Sequence, residues 1–195
     1  MHRKPSRGDQ GRSEQSAFET LVRPHLNTLF RLAYRLTRSR EDAEDLIQEL
    51  LLKLYPRRHE LMEVERLRPW LARVMYRIFI DNHRRYSRSP VHLAVDYGGA
   101  DAHTDPVDNI VSTDGNPEQE TEQSVLGRHL HMVIDRLSED HRHVLGLHDI
   151  EGYTLEEMQV ILACPIGTLK SRLHRARARL RELLAHLEKE REPPP

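Results

Sequence analysis

The sequence predicts an all-α protein of two small helical domains joined by an acidic linker. Three observations carry this. Apolar residues recur at the helical period in both halves of the 195-residue chain. From Arg88 to Arg128 no Lys or Arg intervenes, and the gap holds eight acids: Asp96, Asp101, Asp105, Asp108, Asp114, Glu118, Glu120 and Glu122. A capped short helix, a tight turn and a basic second helix follow one another between Thr154 and Arg181. The predicted divisions are a disordered basic tail over 1–13, a helical domain over 14–88, a linker over 89–122, a second helical domain over 123–188 and a tail over 189–195.

The first helix is predicted from about Glu14 to Thr37, with Phe18, Leu21, Val22, Leu26, Leu29, Phe30, Ala33 and Leu36 on the helical period. Pro24 either kinks it or marks a start near residue 23. Ser39-Arg40-Glu41-Asp42 has the form of a second helix start, with acids in the first turn favoured by the helix dipole. That helix runs from Arg40 to Tyr55, and Ala43, Leu46, Ile47, Leu50 and Leu54 form its core face. Asp45, Gln48 and Leu52 fall on another face, with Glu41, Glu44 and Glu49 nearby. Periodicity leaves two readings for this face, a partner surface or a solvated flank.

A third helix starts near Arg68 or Pro69 and reaches about Tyr86, with Leu71, Val74, Ile78 and Met75 inward. Arg73, Arg77 and Arg84 recur along it, followed by Arg85 and Arg88, and Trp70, Tyr76, Phe79 and Tyr86 are interleaved. Arginines with aromatics suit single-stranded nucleic acid, since guanidinium groups pair with phosphates and bases stack on rings. Trp70 and Phe79 fit a core position equally well. The linker carries Gly, Asp, Thr, Asn and Pro without sustained periodicity, as a solvating tether does. An acidic mimic of DNA is the alternative.

Beyond the linker, helices are predicted over about Glu122–Arg136, with Leu126, Leu130, Val133, Ile134 and Leu137 inside, and over Ser138–Ile150. Thr154 and Glu157 then form a capping box, which satisfies backbone donors at a helix start. Leu155, Met158, Ile161 and Leu162 give that helix an apolar face, and Pro165 ends it. From about Gly167 a longer helix buries Leu169, Leu173, Ala176 and Leu180 as one stripe. Its other faces carry Lys170, Arg172, Arg175, Arg177, Arg179 and Arg181. This is the pattern of a helix-turn-helix, whose second helix enters the DNA major groove.

Composition narrows the classes. Charged residues make up 31% of the chain, and mean hydropathy is −0.70. No apolar run approaches the roughly 18–20 residues that span a bilayer. The start, M-H-R-K-P-S-R-G-D-Q-G-R, is basic but has no apolar segment behind it, so it is not a secretory signal. One cysteine, Cys164, excludes an internal disulfide and fits a reducing cytoplasm. Net charge is −1, yet outside the acidic gap 23 acids face 30 bases; clustering, rather than the sum, is what nucleic acid responds to. Thirteen histidines raise the question of metal. The densest, His129, His131, His141, His143 and His148, include two H-x-H pairs that point to different sides of a helix, and Cys164 has no partner at zinc spacing. No bound metal or cofactor is expected. No P-loop, nucleophile motif or H-E-x-x-H is present, so no enzymatic active site is expected.

At this point the motifs resemble a family. Asp42-Ala43-Glu44-Asp45-Leu46-Ile47-Gln48-Glu49 is similar to the D-A-E-D-L-x-Q-E string of bacterial sigma factors of the extracytoplasmic-function group. Trp70-Leu71, Asp81 and Arg84-Arg85 resemble the next part of that family's region 2. Leu137, Arg142, Glu151-Gly152, Pro165, Gly167-Thr168, Ser171-Arg172-Leu173 and Arg175-Ala176-Arg177 resemble its region 4. The resemblance implies a dissociable promoter-specificity subunit of RNA polymerase that is not itself an enzyme. It implies that Asp45, Gln48, Glu49 and Leu52 bind core polymerase. It implies that Trp70, Arg73, Tyr76, Arg77, Arg84, Arg85 and Arg88 hold the minus-10 element with its non-template strand unpaired. It implies that Thr168, Lys170, Ser171, Arg172, His174, Arg175, Arg177 and Arg179 serve the minus-35 element, with Lys170, Ser171, His174 and Arg175 towards base edges and Arg172, Arg177 and Arg179 towards phosphates. An anti-sigma factor is the further partner it implies.

The chain departs from the family in places. Val74-Met75-Tyr76-Arg77 stands for the usual Ile-Ala-x-Asn, Gln159 for Ala, Ala163 for Gly in the turn, and Leu137-Ser138 for Leu-Pro. Ser138 is expected to cap the following helix as well as Pro would start it. The residues alone leave open a self-sufficient helix-turn-helix regulator and a His-rich metal sensor.

Overall fold

The computed structural model describes residues 7–88, 133, 134 and 136–191. They form helices and turns, grouped into two compact units that divide after His92. No helix among the described residues is long and apolar enough to cross a membrane.

In the first unit, α1 spans Arg7–Thr37. The tail expected to be disordered over 1–13 is therefore helical from Arg7. Residues 7–13 have no apolar period, so nothing in the pattern signals a helix there; extending a formed helix avoids the cost of nucleation. Pro24 lies inside α1 and does not end it. Thr20 and Pro24 both face solvent, so the Thr20 carbonyl, which loses its N–H partner, can be hydrated. Phe18, Val22, Leu29, Ala33 and Leu36 are buried as expected, joined by Leu32. The predicted core residues Leu21, Leu26 and Phe30 are only half-buried.

The chain reverses at Arg38, which has φ of +60°, and its N–H donates to the Tyr34 carbonyl at 2.7 Å. Ser39 then caps α2, Arg40–Leu54, by accepting the Asp42 N–H at 3.2 Å. A 3-10 turn, Tyr55–Arg57, and the single-turn α3, Arg58–Leu61, lead to α4, Leu67–Arg88. Helices α1, α2 and α4 pack on one another. Their core includes Leu29, Leu46, Leu50, Leu71, Ala72, Met75 and Ile78, each large aliphatic contributing about 1.5–3 kcal/mol by burial. Val74 and Ile47, expected inside, are half-buried. The Phe18 and Tyr55 rings meet edge-on, centroids 5.5 Å apart.

The predicted Glu122–Arg136 helix falls mostly outside the described residues, including Leu126 and Leu130; Val133 and Ile134 are helical and Val133 is buried. Next comes α5, Glu139–Leu145. Ser138 occupies its N-cap position in extended conformation, but its side chain makes no capping hydrogen bond, contrary to expectation. A π turn, Gly146–Ile150, follows directly. The five consecutive residues His143–Leu147 are all buried, which no single stripe of an α-helix provides. A π turn carries more residues per turn and so spreads side chains differently.

Helix α6, Leu155–Leu162, has both arms of its capping box. The Glu157 N–H donates to Thr154 Oγ1 at 3.2 Å, and the Thr154 N–H donates to Glu157 Oε2 at 2.8 Å. It ends at Ala163, which takes the left-handed conformation with φ 49° and ψ 44°. Helix α7 runs from Ile166 to Arg191, past the predicted domain end at 188 and into the segment assigned to the tail. Leu169, Leu173 and Ala176 are buried as predicted, while Leu180 is half-buried and Leu183 continues the stripe.

Candidate polymerase and DNA interfaces

The core side of α2 is built by Ala43, Leu46, Leu50 and Leu54. A helix turns about 100° per residue, so Asp45, Gln48 and Leu52 are carried to the far side. There Asp45 and Gln48 are exposed, and Leu52 is 75% exposed. Single apolar residues in water are ordinary on a protein surface, so exposure is compatible with a partner surface and with a solvated flank. Glu49 behaves differently. It is half-buried, accepts the Asn82 amide of α4 at 2.7 Å and pairs with Lys53 at 2.8 Å. Burial alone would raise its carboxyl; hydrogen bonds from Lys53 and Asn82, with the charges of Lys53 and Arg85, hold it below the ordinary value. Of the four predicted polymerase-binding residues, three point to solvent and Glu49 braces α2 to α4. Sequence reasoning missed Asn82, because its partner lies 33 residues away and nothing local marks it.

On α4 the core residues Leu71, Ala72, Met75 and Ile78 define the inward direction. Arg73, Arg77 and Arg84 lie opposite, within about 40° of one another on the helical wheel, and Trp70 is next to them. Arg77, Arg84, Arg85 and Tyr86 are exposed, while Trp70, Arg73 and Tyr76 are half-buried. The Arg88 side chain lies outside the described residues. Beside the arginine row runs an aromatic track. Tyr76 and Phe79 have ring centroids 6.3 Å apart, and Phe79 and His83 are 6.2 Å apart. Phe79 and Trp70 are half-buried, neither core nor fully solvated. Phosphate-pairing cations beside stackable rings form a surface suited to single-stranded nucleic acid.

On α7 the capping box and the Ala163 turn deliver a helix whose inner stripe is Leu169, Leu173 and Ala176. Lys170, Ser171, His174, Arg175 and Arg179 are exposed, Thr168 is half-buried, and Thr168 accepts the Ser171 hydroxyl at its carbonyl at 2.9 Å. Arg175 Nε donates to the Ser171 carbonyl at 3.3 Å. Three further arginines are engaged. Arg172 pairs with Asp140 at 3.0 Å, Arg179 with Glu182 at 3.0 Å, and Arg177 grips Asp149 through two bonds of 2.5 and 2.9 Å. The Arg177 hydrogen bond holds the Asp149 carboxyl below its ordinary range against an opposing effect of burial. The same pair raises Arg177.

Among the described residues no group of three His, Cys, Asp or Glu side chains is placed to hold a metal ion. His129 and His131 fall outside them.

Two family models match the chain: sigma-70 region 2 over residues 21–89 and sigma-70 region 4 over residues 128–180. They fall on the two helical units. An ECF RNA polymerase sigma-E factor of Haemophilus influenzae is 30% identical over 84% of this chain and 85% of its own length. The chain belongs to the extracytoplasmic-function sigma factors of the sigma-70 family. It is a promoter-specificity subunit of RNA polymerase rather than an enzyme. The ECF sigma factor SigE of Mycolicibacterium smegmatis is 36% identical over 91% of this chain, which spans 65% of that longer protein. The sigma factor RpoE of Bartonella quintana, solved with the anti-sigma factor NepR, superimposes with a TM-score of 0.61 at 25% identity, covering 86% of this chain and 96% of that one. In these terms α2 and α4 belong to region 2, and α5 to α7 belong to region 4.

Proposed function

We propose that this sigma factor grips polymerase and promoter through three separate faces. Asp45, Gln48 and Leu52 of α2 dock on the core enzyme, with Glu49 holding that helix to α4. Trp70, Arg73, Tyr76, Arg77, Arg84, Arg85 and Arg88 hold the minus-10 element as an opened non-template strand, phosphates on the arginines and bases on the rings. Helix α7 enters the major groove at the minus-35 element, with Lys170, Ser171, His174 and Arg175 towards bases, flanked by Thr168 and Arg179. The observation that carries this reading is the division of α4, with its core on one side, a row of arginines opposite, and the Tyr76 and Phe79 rings on the flank between them.

The Bartonella quintana protein was solved with an anti-sigma factor, which supports a protein of the same kind as the inhibitory partner here. A factor that works on polymerase acts in the cytoplasm. Reconstitution tests the proposal: purified chain, core polymerase and a library of duplex promoter fragments. The expected outcome is a stable complex and initiation on a selected subset carrying two separated elements. Specific duplex binding by the chain alone as a dimer, without core polymerase, would replace this reading with a self-sufficient regulator.

A further inference from the structure

We infer that Asp149 is a positioning residue for promoter recognition: it fixes the roll of α7 about its own axis, using Arg177 as its handle. The inference rests on the reading that α7 enters the groove. With Leu169 set at the origin of the helical wheel, Leu173 and Ala176 lie within about 40° of it and mark the buried direction. Arg177 lies about 80° to one side and Arg172 about 60° to the other. Each guanidinium reaches across to an acid on the preceding segment, Arg177 to Asp149 in the π turn and Arg172 to Asp140 on α5. Helix α7 is thus tied along both edges of its buried stripe.

The two ties are unequal. Arg172, 31% exposed, meets Asp140, 62% exposed, through a single contact at 3.0 Å. Arg177, 46% exposed, meets Asp149, 33% exposed, with two parallel bonds of 2.5 and 2.9 Å, so the difference lies in geometry, since exposed ion pairs of ordinary geometry contribute little. A bidentate Arg–carboxylate pair fixes orientation as well as distance. The π turn sets this up. The Glu151 N–H donates to the Gly146 carbonyl at 2.9 Å, five residues back, and an uninterrupted α-helix would carry Asp149 to a different azimuth.

Two consequences follow for the DNA face. With both edges tied, the sector opposite the core holds Lys170, His174, Ala178, Ser171 and Arg175, and a rotation of α7 would exchange which of these reach base edges. Arg177 is held by Asp149 and is not a phosphate ligand, although it sits in a basic helix. Breaking the pair while keeping its shape should loosen the roll and release a cation towards DNA.

The test uses the full chain bound to core polymerase, on the promoter fragment selected above and on versions with single substitutions in the upstream element. In D149N the ratio of affinities for intact over substituted element is expected to fall about tenfold, the scale of one lost base contact. Released Arg177 should take a phosphate, so the slope of log affinity against log salt should steepen by about one. R177A should lower the same ratio and leave the slope unchanged. The charge-reversed pair D149R/R177D should recover most of the ratio. The inference is overturned if D149N changes neither ratio nor slope. It is equally overturned if D149N weakens all sequences alike with a lowered thermal midpoint, which would make the pair a fold brace only, or if R177A makes the slope shallower, which would make Arg177 a phosphate ligand. If no upstream element is selected at all with the unaltered chain, the groove reading itself fails before any variant is made.

Discussion

Asn82 of α4 donates its side-chain amide to the Glu49 carboxylate of α2 at 2.7 Å, and the bond ties the helix assigned to polymerase to the helix assigned to opened DNA. Glu49 is half-buried, so removing the donor leaves part of a carboxylate poorly solvated. N82A should lower the stability of region 2 by about 1–2 kcal/mol, the lower part of the range for a hydrogen bond to a charged group, because Glu49 is only half-buried and keeps Lys53 as a partner. Urea unfolding of the full chain checks this. The expected functional effect is on open-complex formation more than on association with core, because the docking face of α2 is left intact.

Leu52 and Asp45 give the opposite pattern. Leu52 is 75% exposed and Asp45 is exposed, so neither supports the fold. L52D and D45R should each weaken association with core polymerase at least tenfold, as for a desolvated hot spot of more than about 1.4 kcal/mol. Their unfolding midpoints should stay at the unaltered value. Pull-down with core enzyme and thermal unfolding separate the two effects; a lowered midpoint would mean that the residues serve packing instead.

Arg175 stands on the solvent sector of α7, with Nε on the Ser171 carbonyl. If it reads a base, R175A should cost about 1–3 kcal/mol of discrimination at one promoter position. Salt titration of the holoenzyme decides the role: a base contact leaves the slope near its original value, while a phosphate contact makes it shallower by about one.

The features legible in the sequence are those whose cause is local. The Thr154–Glu157 capping box and the Ser39 cap are set by residues three positions apart, and both are present. The stripes of α2, α4 and α7 follow from a period, although the ends of α1 and α7 lie several residues beyond the apolar pattern because helices propagate past it. Glu49–Asn82 and Asp149–Arg177 are 33 and 28 residues apart, and their pairing depends on how helices pack. Arg177 shows the difference most clearly: by composition it is one more cation of a basic helix, and by structure it is committed to an acid. The family strings supplied the proposed roles of α2 and α4, which periodicity had left open.

His143 offers a pH test. It is 7% exposed, and burial pushes its imidazole down to about 4, against Glu139 and Asp140, which raise it, while Arg142 and Arg172 lower it further. The folded-state value is depressed below 6.5, so the unfolded chain binds the extra proton in between. Stability is therefore fully present above pH of about 6.5 and falls as pH drops towards about 4, by up to about 3 kcal/mol. Urea midpoints for region 4 should slope upward with pH across this window and be flat above it. H143L should abolish that slope. Asp149, also depressed but from 3.8, titrates below the window and does not confuse it.

The turn before α7 carries stored strain. Ala163 closes α6 at φ 49° and ψ 44°, and its conformation lets the Cys164 N–H reach the Gln159 carbonyl at 3.3 Å. An L-residue with a Cβ holds this region at about 1–2 kcal/mol above its ordinary conformations. Glycine removes the clash and gives back part of that gain as unfolded-chain entropy, about 0.5–1 kcal/mol. A163G should therefore stabilise region 4 by about 0.5–1 kcal/mol, read as a higher urea midpoint with an unchanged slope. A163V should destabilise it, since a β-branched side chain tolerates positive φ least. Because Ala163 already sits in the conformation that glycine favours, the angle of α7 should not change, and A163G should keep the promoter discrimination of the unaltered chain. A shift in promoter preference would instead show that the alanine bends the turn away from the geometry that glycine gives.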